Sequence, residues 1–367
     1  MAHLLISPPL LNSANPWCTT LAQLRSLYRT PHTGAITTRT SLLSSSGFPH
    51  DPSVHQFTFF NPSSHSSSAP NTDEPGDSGT KTGSLNTLGY SPLPLSTYLS
   101  FVQSLNEEFC ASGQETKKPI IVSVTGSAED IAKCYALICE CQVSVKMPLA
   151  MELNLSCPNI PGSPPPAYSR EELARYLNVL KREKQRWRQE RGTGSGDMDR
   201  EREVKVGIKT PPYTYSEQFE GMIGALLDSA KEDGVCEVDF ITAVNTLGSS
   251  LLLSPSDAAG GEAVAFQPSL NSAAGTGIGG MAGAPLHPLA LGNVYTIVKM
   301  LKRHEVLAHV QVIGVGGVAD TEGYRRMRDV GASAVGVGTA LGRKGVAVFE
   351  EIGASSAVEE MLKKAGA

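Results

Sequence analysis

The sequence predicts an α/β protein folded as a single (β/α)8 TIM barrel, and three observations carry that expectation. Strand-like apolar runs alternate with helix-like runs from end to end, the pattern of parallel βαβ units. Eight strand-like runs can be counted. The chain has 367 residues, whereas such a barrel typically needs about 250. The surplus leaves room for loop insertions at the C-terminal face, so residues 1–367 read as one domain.

The strand-like runs lie at 9–12, 35–38, 119–124, 150–155, 204–208, 240–245, 310–314 and 334–337. Helix-like runs follow the first strand at 19–28 and the third at 128–142. The run at 170–189 is charged on one side and carries Leu173, Leu177 and Leu180 on the other, as an amphipathic helix requires. Further helices are expected at 216–231, 288–304, 321–329 and 341–352. Three stretches break the rhythm. Residues 41–82 are rich in Ser, Pro, Gly, Asn and Thr, a composition that buries too little apolar surface to offset chain entropy, and read as a flexible insertion. Residues 188–203 read as a charged surface loop. Residues 254–276 are small and Gly/Ala-rich. Long loops after barrel strands often lie over the active site, which places the first and third stretches within its reach.

Composition narrows the function classes. The net charge of −5 gives no global pull toward nucleic acid or an anionic membrane, so an anionic ligand needs local cations. The seven cysteines are Cys18, Cys110, Cys134, Cys139, Cys141, Cys157 and Cys236. An odd count without regular spacing is no disulfide framework and suits a reducing compartment. Cys139 and Cys141 lack the second pair or nearby His that a zinc site needs, and read as core residues of a helix; no metal is expected. The first residues lack the charged and apolar regions of a leader peptide, and no apolar run approaches a membrane span. A soluble, cytoplasmic protein is expected.

The strongest chemical feature is residues 152–162, ELNLSCPNIPG. It begins as an apolar strand and ends in a loop punctuated by Pro and Gly. Asn154 falls near the strand end, with Ser156, Cys157 and Asn159 just beyond it, where a barrel places catalytic groups. A lone Cys is more often an inert buried residue. A polar loop stiffened by Pro158 and Pro161 is a poor core and a good site. After the last two strands come Gly316-Gly317 and Gly338-Thr339. Gly lets backbone N–H groups converge on a phosphate, and barrels often build that site from these two loops. Each Gly pair alone also suits an ordinary tight turn. Lys209 follows the fifth strand and precedes two prolines; a solvated surface Lys is the plain alternative. Asn86, Asn154, Asn159 and Asn245 offer amide donors and acceptors suited to a cyclic imide, although a single Asn is usually a turn or cap residue.

The 152–162 segment resembles the signature loop of class 1 dihydroorotate dehydrogenases, the fumarate-type branch included, and other segments agree in chain order over most of the barrel. Asn86, Thr87, Leu88, Gly89 and Tyr90 resemble the family's substrate segment. Lys209 matches its flavin-contacting lysine, Asn245-Thr246 its pyrimidine-binding pair next to Val244, and Gly280 a flavin-contacting glycine. Ser13, Ala14 and Asn15 stand where the family passes under the flavin. The resemblance implies FMN held by Ser13, Ala14, Arg39, Asn154, Lys209, Val244, Gly280, Gly316, Gly317, Gly338 and Thr339. It implies oxidation of dihydroorotate to orotate in pyrimidine biosynthesis: Cys157 removes the C5 proton, hydride leaves C6 for flavin N5, and fumarate reoxidises the flavin. A homodimer is implied in the same way. Arg39 stands where the family usually has lysine, and Leu88 and Tyr90 alter apolar contacts on the substrate side. These departures keep two alternatives open: the same cofactor acting on another dihydropyrimidine or an enoate, and a flavin-binding paralogue without turnover. The opening segment is shorter than the family's first hairpin, which implies a differently closed barrel floor.

Overall fold

The computed structural model describes residues 3–72, 79–113, 117–156, 165–190, 202–256 and 265–353. Eight parallel strands form its centre: Leu10–Asn12, Ile36–Thr37, Ile120–Thr125, Leu149–Asn154, Lys205–Thr210, Phe240–Ala243, Gln311–Val315 and Ala334–Val337. Each overlaps one of the expected runs. The order around the sheet is one, eight, seven, six, five, four, three, two, with every ladder parallel. Side chains alternate in and out along each strand. Leu11, Ile121, Ala150, Phe240, Ile313 and Ala334 cluster together with Leu4, and Ile6 packs against them. The short opening segment therefore contributes its own apolar residues to the closing of the barrel.

The seam between strands one and two is bridged by a side chain. Asn12, fully buried, donates from Nδ2 to the Thr37 carbonyl at 2.7 Å and accepts from the Thr37 N–H at 3.0 Å. The Gly34 N–H reaches the Leu10 carbonyl at 2.8 Å. An amide carries one donor side and one acceptor side, so a single Asn can replace a rung of the ladder.

The helices wrap the outside with apolar faces inward. Leu21–Arg29 starts at a Thr20–Gln23 capping box and Ala128–Ser144 at a Ser127–Asp130 box. Cys134, Cys139 and Cys141 are buried on the latter helix. Arg170–Glu190, Ser216–Ser229, His287–Leu301 and Thr321–Asp329 match their expected runs closely. Two readings change. The run 341–352 is two helices, Thr339–Lys344 and Ala347–Gly353, because Gly345 takes φ 64° and ends the first. A further helix, Leu95–Ala111, follows the second barrel strand and buries Leu95, Tyr98, Val102, Leu105 and Phe109. Its 3-4-3-4 apolar spacing is helical, but Ser and Pro around its start hide it.

A second, antiparallel sheet belongs to the loops that follow the barrel strands. Its order is Leu247–Ser250, Gly279–Gly283, Gly83–Asn86, Phe57–Phe60. Phe60, Leu85, Leu252 and Leu270 form its own apolar cluster, with Met281 against it. The stretch 41–82 is thus not structureless in its described part. Ser41–Leu42 pairs with Val124 and Thr125, and Phe57–Phe60 pairs with Gly83–Asn86. The average composition of the stretch conceals one apolar run, Phe57, Thr58, Phe59 and Phe60, of which the last three are buried. Leu253–Ser256 and Ala265–Pro268, which overlap the Gly/Ala-rich stretch 254–276, pair antiparallel.

At the opposite end of the barrel lies a compact ion cluster. The Lys184 ammonium, 2% exposed, sits 3.0 Å from Glu237, 3.6 Å from Asp239 and 3.9 Å from Glu203. Arg188 binds Glu237 at 2.6 Å and also pairs with Glu203. Both ends of the 188–203 stretch thus belong to the helix and to this cluster; residues 191–201 lie outside the described residues. Among the described residues no helix is long and apolar enough to cross a membrane.

Candidate active site

The upper ends of the barrel strands and the antiparallel sheet border a cleft open to solvent. Its base comes from strands four to six. Asn154 and Lys209 are register partners, and Lys209 pairs in turn with Thr242. Lys209 is 3% exposed, with Nζ 3.5 Å from the Ala14 carbonyl. A buried ammonium at a cleft base is positioned to meet an anion. Val244, Asn245 and Thr246 follow strand six and line the cleft. Asn245 Nδ2 donates to Asn154 Oδ1 at 3.2 Å and to Ser156 Oγ at 3.0 Å.

The loop after strand one supplies a side wall of Ser13, Ala14, Asn15, Pro16 and Trp17. Asn15 braces it, donating to the Ser13 carbonyl at 2.8 Å and accepting from the Trp17 N–H at 2.8 Å. Beneath it the Cys18 thiol is pushed up to about 12 by burial, which outweighs the lowering by its hydrogen bond to Asn15 and by Arg39 and Lys209. Trp17 stacks on Phe59 at 5.6 Å and meets the edge of Phe57 at 5.4 Å.

The opposite wall carries Asn86, Leu88, Gly89 and Tyr90. Asn86 Nδ2 donates to the Gly280 carbonyl at 3.1 Å. Tyr90 meets Phe48 edge-on at 5.7 Å. Arg39 lines the cleft and reaches from Nη2 toward the Gly89 carbonyl at 3.5 Å.

The far end is made by Gly316, Gly317, Gly338 and Thr339. Gly316 and Gly317 take φ 142° and 70°, and a Cβ on Gly317 would stand 2.7 Å from both the Gly283 carbonyl oxygen and His287 Cβ. Only glycine satisfies both constraints. Outside the helix and strand ladders, the N–H groups of Gly316, Gly317 and Gly338 donate to no backbone acceptor among the described residues. His287 fixes the loop from behind. Its Nε2 accepts from Arg326 Nε at 3.1 Å, so Nδ1 carries the hydrogen donated to the Gly316 carbonyl at 2.7 Å. Ser84 Oγ and Thr339 Oγ1, 2.8 Å apart, tie the upper sheet to this end.

The arrangement fits an elongated anionic cofactor: a cradle of unengaged N–H groups at one end, a buried ammonium and amides at the other. Most of the expected site residues converge here. Gly280 does not line the cleft. It stands behind the wall, where a Cβ would meet Thr246 Oγ1 at 2.1 Å, and its strand neighbours Ala282 and Gly283 line the cleft instead. Cys157 and Asn159 lie outside the described residues. Lining residues that the sequence reading did not assign are Pro16, Trp17, Thr40, Phe57, Ser84, Ala282, Gly283, Leu286 and Val315, and Asn15 was placed there only by resemblance. Trp17, one of two tryptophans, sits just after a strand end, a signal that could have found it. Phe57 and Ser84 arrive through the upper sheet and have no local signal.

Comparison with known proteins covers most of the chain. The family described as "Dihydroorotate dehydrogenase" matches residues 63–356. That span begins after the first two barrel strands, so Ser13, Ala14 and Arg39 are brought to the cleft by the fold and lie outside the match. Dihydroorotate dehydrogenase A (fumarate) of Lactococcus lactis subsp. cremoris is 28% identical over 284 residues, 77% of this chain and 75% of that protein. Dihydroorotate dehydrogenase (fumarate) of Trypanosoma cruzi is 28% identical over 272 residues, 74% and 71% of the two chains. The crystal structure of ligand-free DHODH from Eimeria tenella superposes with a TM-score of 0.65 at 16% identity, over 98% of this chain and 85% of that one. At that identity it supports the barrel fold alone.

Proposed function

The chain belongs to the dihydroorotate dehydrogenase family, and from that premise we propose that it oxidises (S)-dihydroorotate to orotate in pyrimidine biosynthesis, with FMN as cofactor and fumarate as electron acceptor. The observation that carries this reading is the convergence of Lys209, Asn86, Asn154 and Asn245 with the Gly316-Gly317 and Gly338-Thr339 loops on one cleft. The N–H groups of the glycine loops would hold the FMN phosphate, and Ser13, Ala14, Val244 and Lys209 its ring system. When bound, FMN supplies the acceptor for the hydride that leaves C6.

The chain's own residues handle the proton and the orientation. The C5 proton is weakly acidic because it lies α to a carbonyl, so it needs a positioned base and donors for the developing enolate. Cys157, as thiolate, is the proposed base. Ser156, the residue before it, is 1% exposed and bonds to Asn154 and Asn245, so the chain enters that segment from a fixed point. Asn86, Asn154, Asn159, Asn245 and Thr246 would read the pyrimidine ring, with Leu88, Gly89 and Tyr90 against its face. Arg39 would take the carboxylate, with a planar fork in place of a lysine point charge. The balance closes with fumarate, which takes up the same proton and hydride and leaves as succinate. A dicarboxylate acceptor suits the same cations. A cytoplasmic homodimer belongs to the same reading, and sedimentation would measure the oligomeric state.

Arg39 and Tyr90 on the substrate wall favour a second reading, the same chemistry on another dihydropyrimidine or an enoate. Anaerobic mixing of the FMN-loaded protein with dihydroorotate separates the two. Bleaching of the visible flavin band, reversed by fumarate, is expected. Bound flavin that stays unbleached would sink the first reading in favour of the second, and failure to bind flavin would sink both.

A further inference from the structure

Beneath the cleft a buried carboxylate stands in the barrel interior with no part in the chemistry above. Glu152, on strand four, is 2% exposed and is the register partner of Ser123 on strand three. Ser123 Oγ lies 2.9 Å from Glu152 Oε1 and 2.9 Å from Thr40 Oγ1. Asn154 Nδ2 reaches Thr40 Oγ1 at 2.9 Å. Asn154 Oδ1 receives Asn245 Nδ2 at 3.2 Å, and Asn245 Oδ1 receives the Thr246 N–H at 2.9 Å.

The direction of every bond in this chain is determined by its two ends. A carboxylate only accepts and a backbone N–H only donates. The Ser123 hydrogen therefore goes to Glu152. The Thr40 hydrogen then goes to Ser123, leaving a Thr40 lone pair for Asn154 Nδ2. From the other end, the Thr246 N–H takes Asn245 Oδ1, which turns Asn245 Nδ2 toward Asn154 Oδ1. Five bonds run head to tail from a backbone donor to a carboxylate. Turning Asn154 over would set two NH2 groups against each other and force Asn245 away from the Thr246 N–H. Buried polar networks of this kind specify one arrangement only when fully satisfied.

We propose that Glu152 is a positioning residue: through Ser123 and Thr40 it fixes the donor side of the Asn154 amide, whose acceptor side is held by Asn245 and Ser156, so that the N–H of Asn154 left over from Thr40 is presented to a carbonyl-type acceptor in the cleft. The consequence for substrate binding rests on the proposed function; the locked amide does not. Replacing the carboxylate by an amide removes the obligatory acceptor, because a Gln can offer its NH2 to Ser123 and let the Ser123 and Thr40 hydroxyls turn, which sets the Thr40 hydrogen against Asn154 Nδ2.

The test uses the full-length protein labelled with 15N-asparagine, with the side-chain amide of Asn154 followed by NMR and orotate binding by the flavin absorbance change. In Glu152→Gln and in Ser123→Ala the Asn154 amide signals are expected to move, and the orotate dissociation constant to rise about tenfold, the effect of one lost hydrogen bond. In the double variant it should rise no more than about twofold beyond either single one, because both changes cut the same chain. Independent, multiplying effects, or Asn154 signals that stay in place in both single variants, would overturn the inference. Ser123→Ala removes only a hydroxyl, so it decides the matter should Glu152→Gln not fold. A wild-type protein that ignores orotate would defeat the functional reading, while the amide signals would still judge the positioning role.

Discussion

Cys18 illustrates how environment can silence a thiol beside the cleft. Cys18 is fully buried, and its thiol is pushed up to about 12. At neutral pH it carries almost no thiolate and cannot serve as a base. The residue proposed for that task, Cys157, follows Asn154 and Ser156 in a polar segment. Cys157→Ser is expected to retain FMN and to lose at least about 100-fold in the rate of flavin bleaching by dihydroorotate at neutral pH, the usual scale of a positioned base. A stopped-flow trace with wild-type bleaching in that variant would remove Cys157 from the mechanism. Arg39 shows the limit of reading single residues. Its charge matches the family lysine, but only the fold shows that it lies on the cleft wall, close to the Gly89 carbonyl.

Between elements, two junctions carry stability that no strand or helix holds alone. Asn12 bridges strands one and two with two hydrogen bonds, and Asn12→Ala would leave the Thr37 N–H and carbonyl without their partner. A cost of about 2–6 kcal/mol is expected from urea unfolding, given about 1–3 kcal/mol for each of the two buried groups left unsatisfied; a loss below that range would mean that the seam closes by other contacts. At the opposite end, burial alone would raise the Glu237 carboxyl, but the Arg188 guanidinium and Lys184 ammonium outweigh it and bring it from 4.5 to about 2. A carboxyl whose folded value lies below its unfolded value stabilises the fold above the unfolded value and loses that contribution as pH falls through the folded one. Stability should therefore decline between about pH 4.5 and pH 2, by a contribution on the order of 3 kcal/mol. Glu237→Gln should be less stable than wild type at pH 7 and show a shallower decline on acidification; an unchanged slope would reassign the acid sensitivity elsewhere.

For the whole molecule, the cleft joins loops from both halves of the barrel, so a bound cofactor should stabilise the entire fold. FMN at about 100 times its dissociation constant is expected to add about 2.7 kcal/mol to unfolding, provided the unfolded chain does not bind it. Gly317→Ala, which places a Cβ against the Gly283 carbonyl, should reduce that gain at the same FMN concentration; an undiminished gain would place the phosphate elsewhere. The eight barrel strands, most of the outer helices and the residues at the strand ends were legible in the sequence. Strands buried on both faces appear as apolar runs, and a barrel puts its chemistry immediately after them. The helix Leu95–Ala111 had the right apolar period and was obscured by its neighbours. The upper sheet was not legible, because strands such as Gly83–Asn86 and Gly279–Gly283 consist largely of small and polar residues that become strands only by pairing with each other across nearly 200 positions. What the sequence determined by itself was the family and the barrel, because these depend on short-range patterns of residue type. Only the tertiary structure decided that Trp17, Phe57 and Ser84 line the cleft, that Gly280 stands behind it, and that Glu152 sets the direction of an amide two residues further along its strand. Those outcomes depend on distances between segments remote in the chain, which no local pattern encodes.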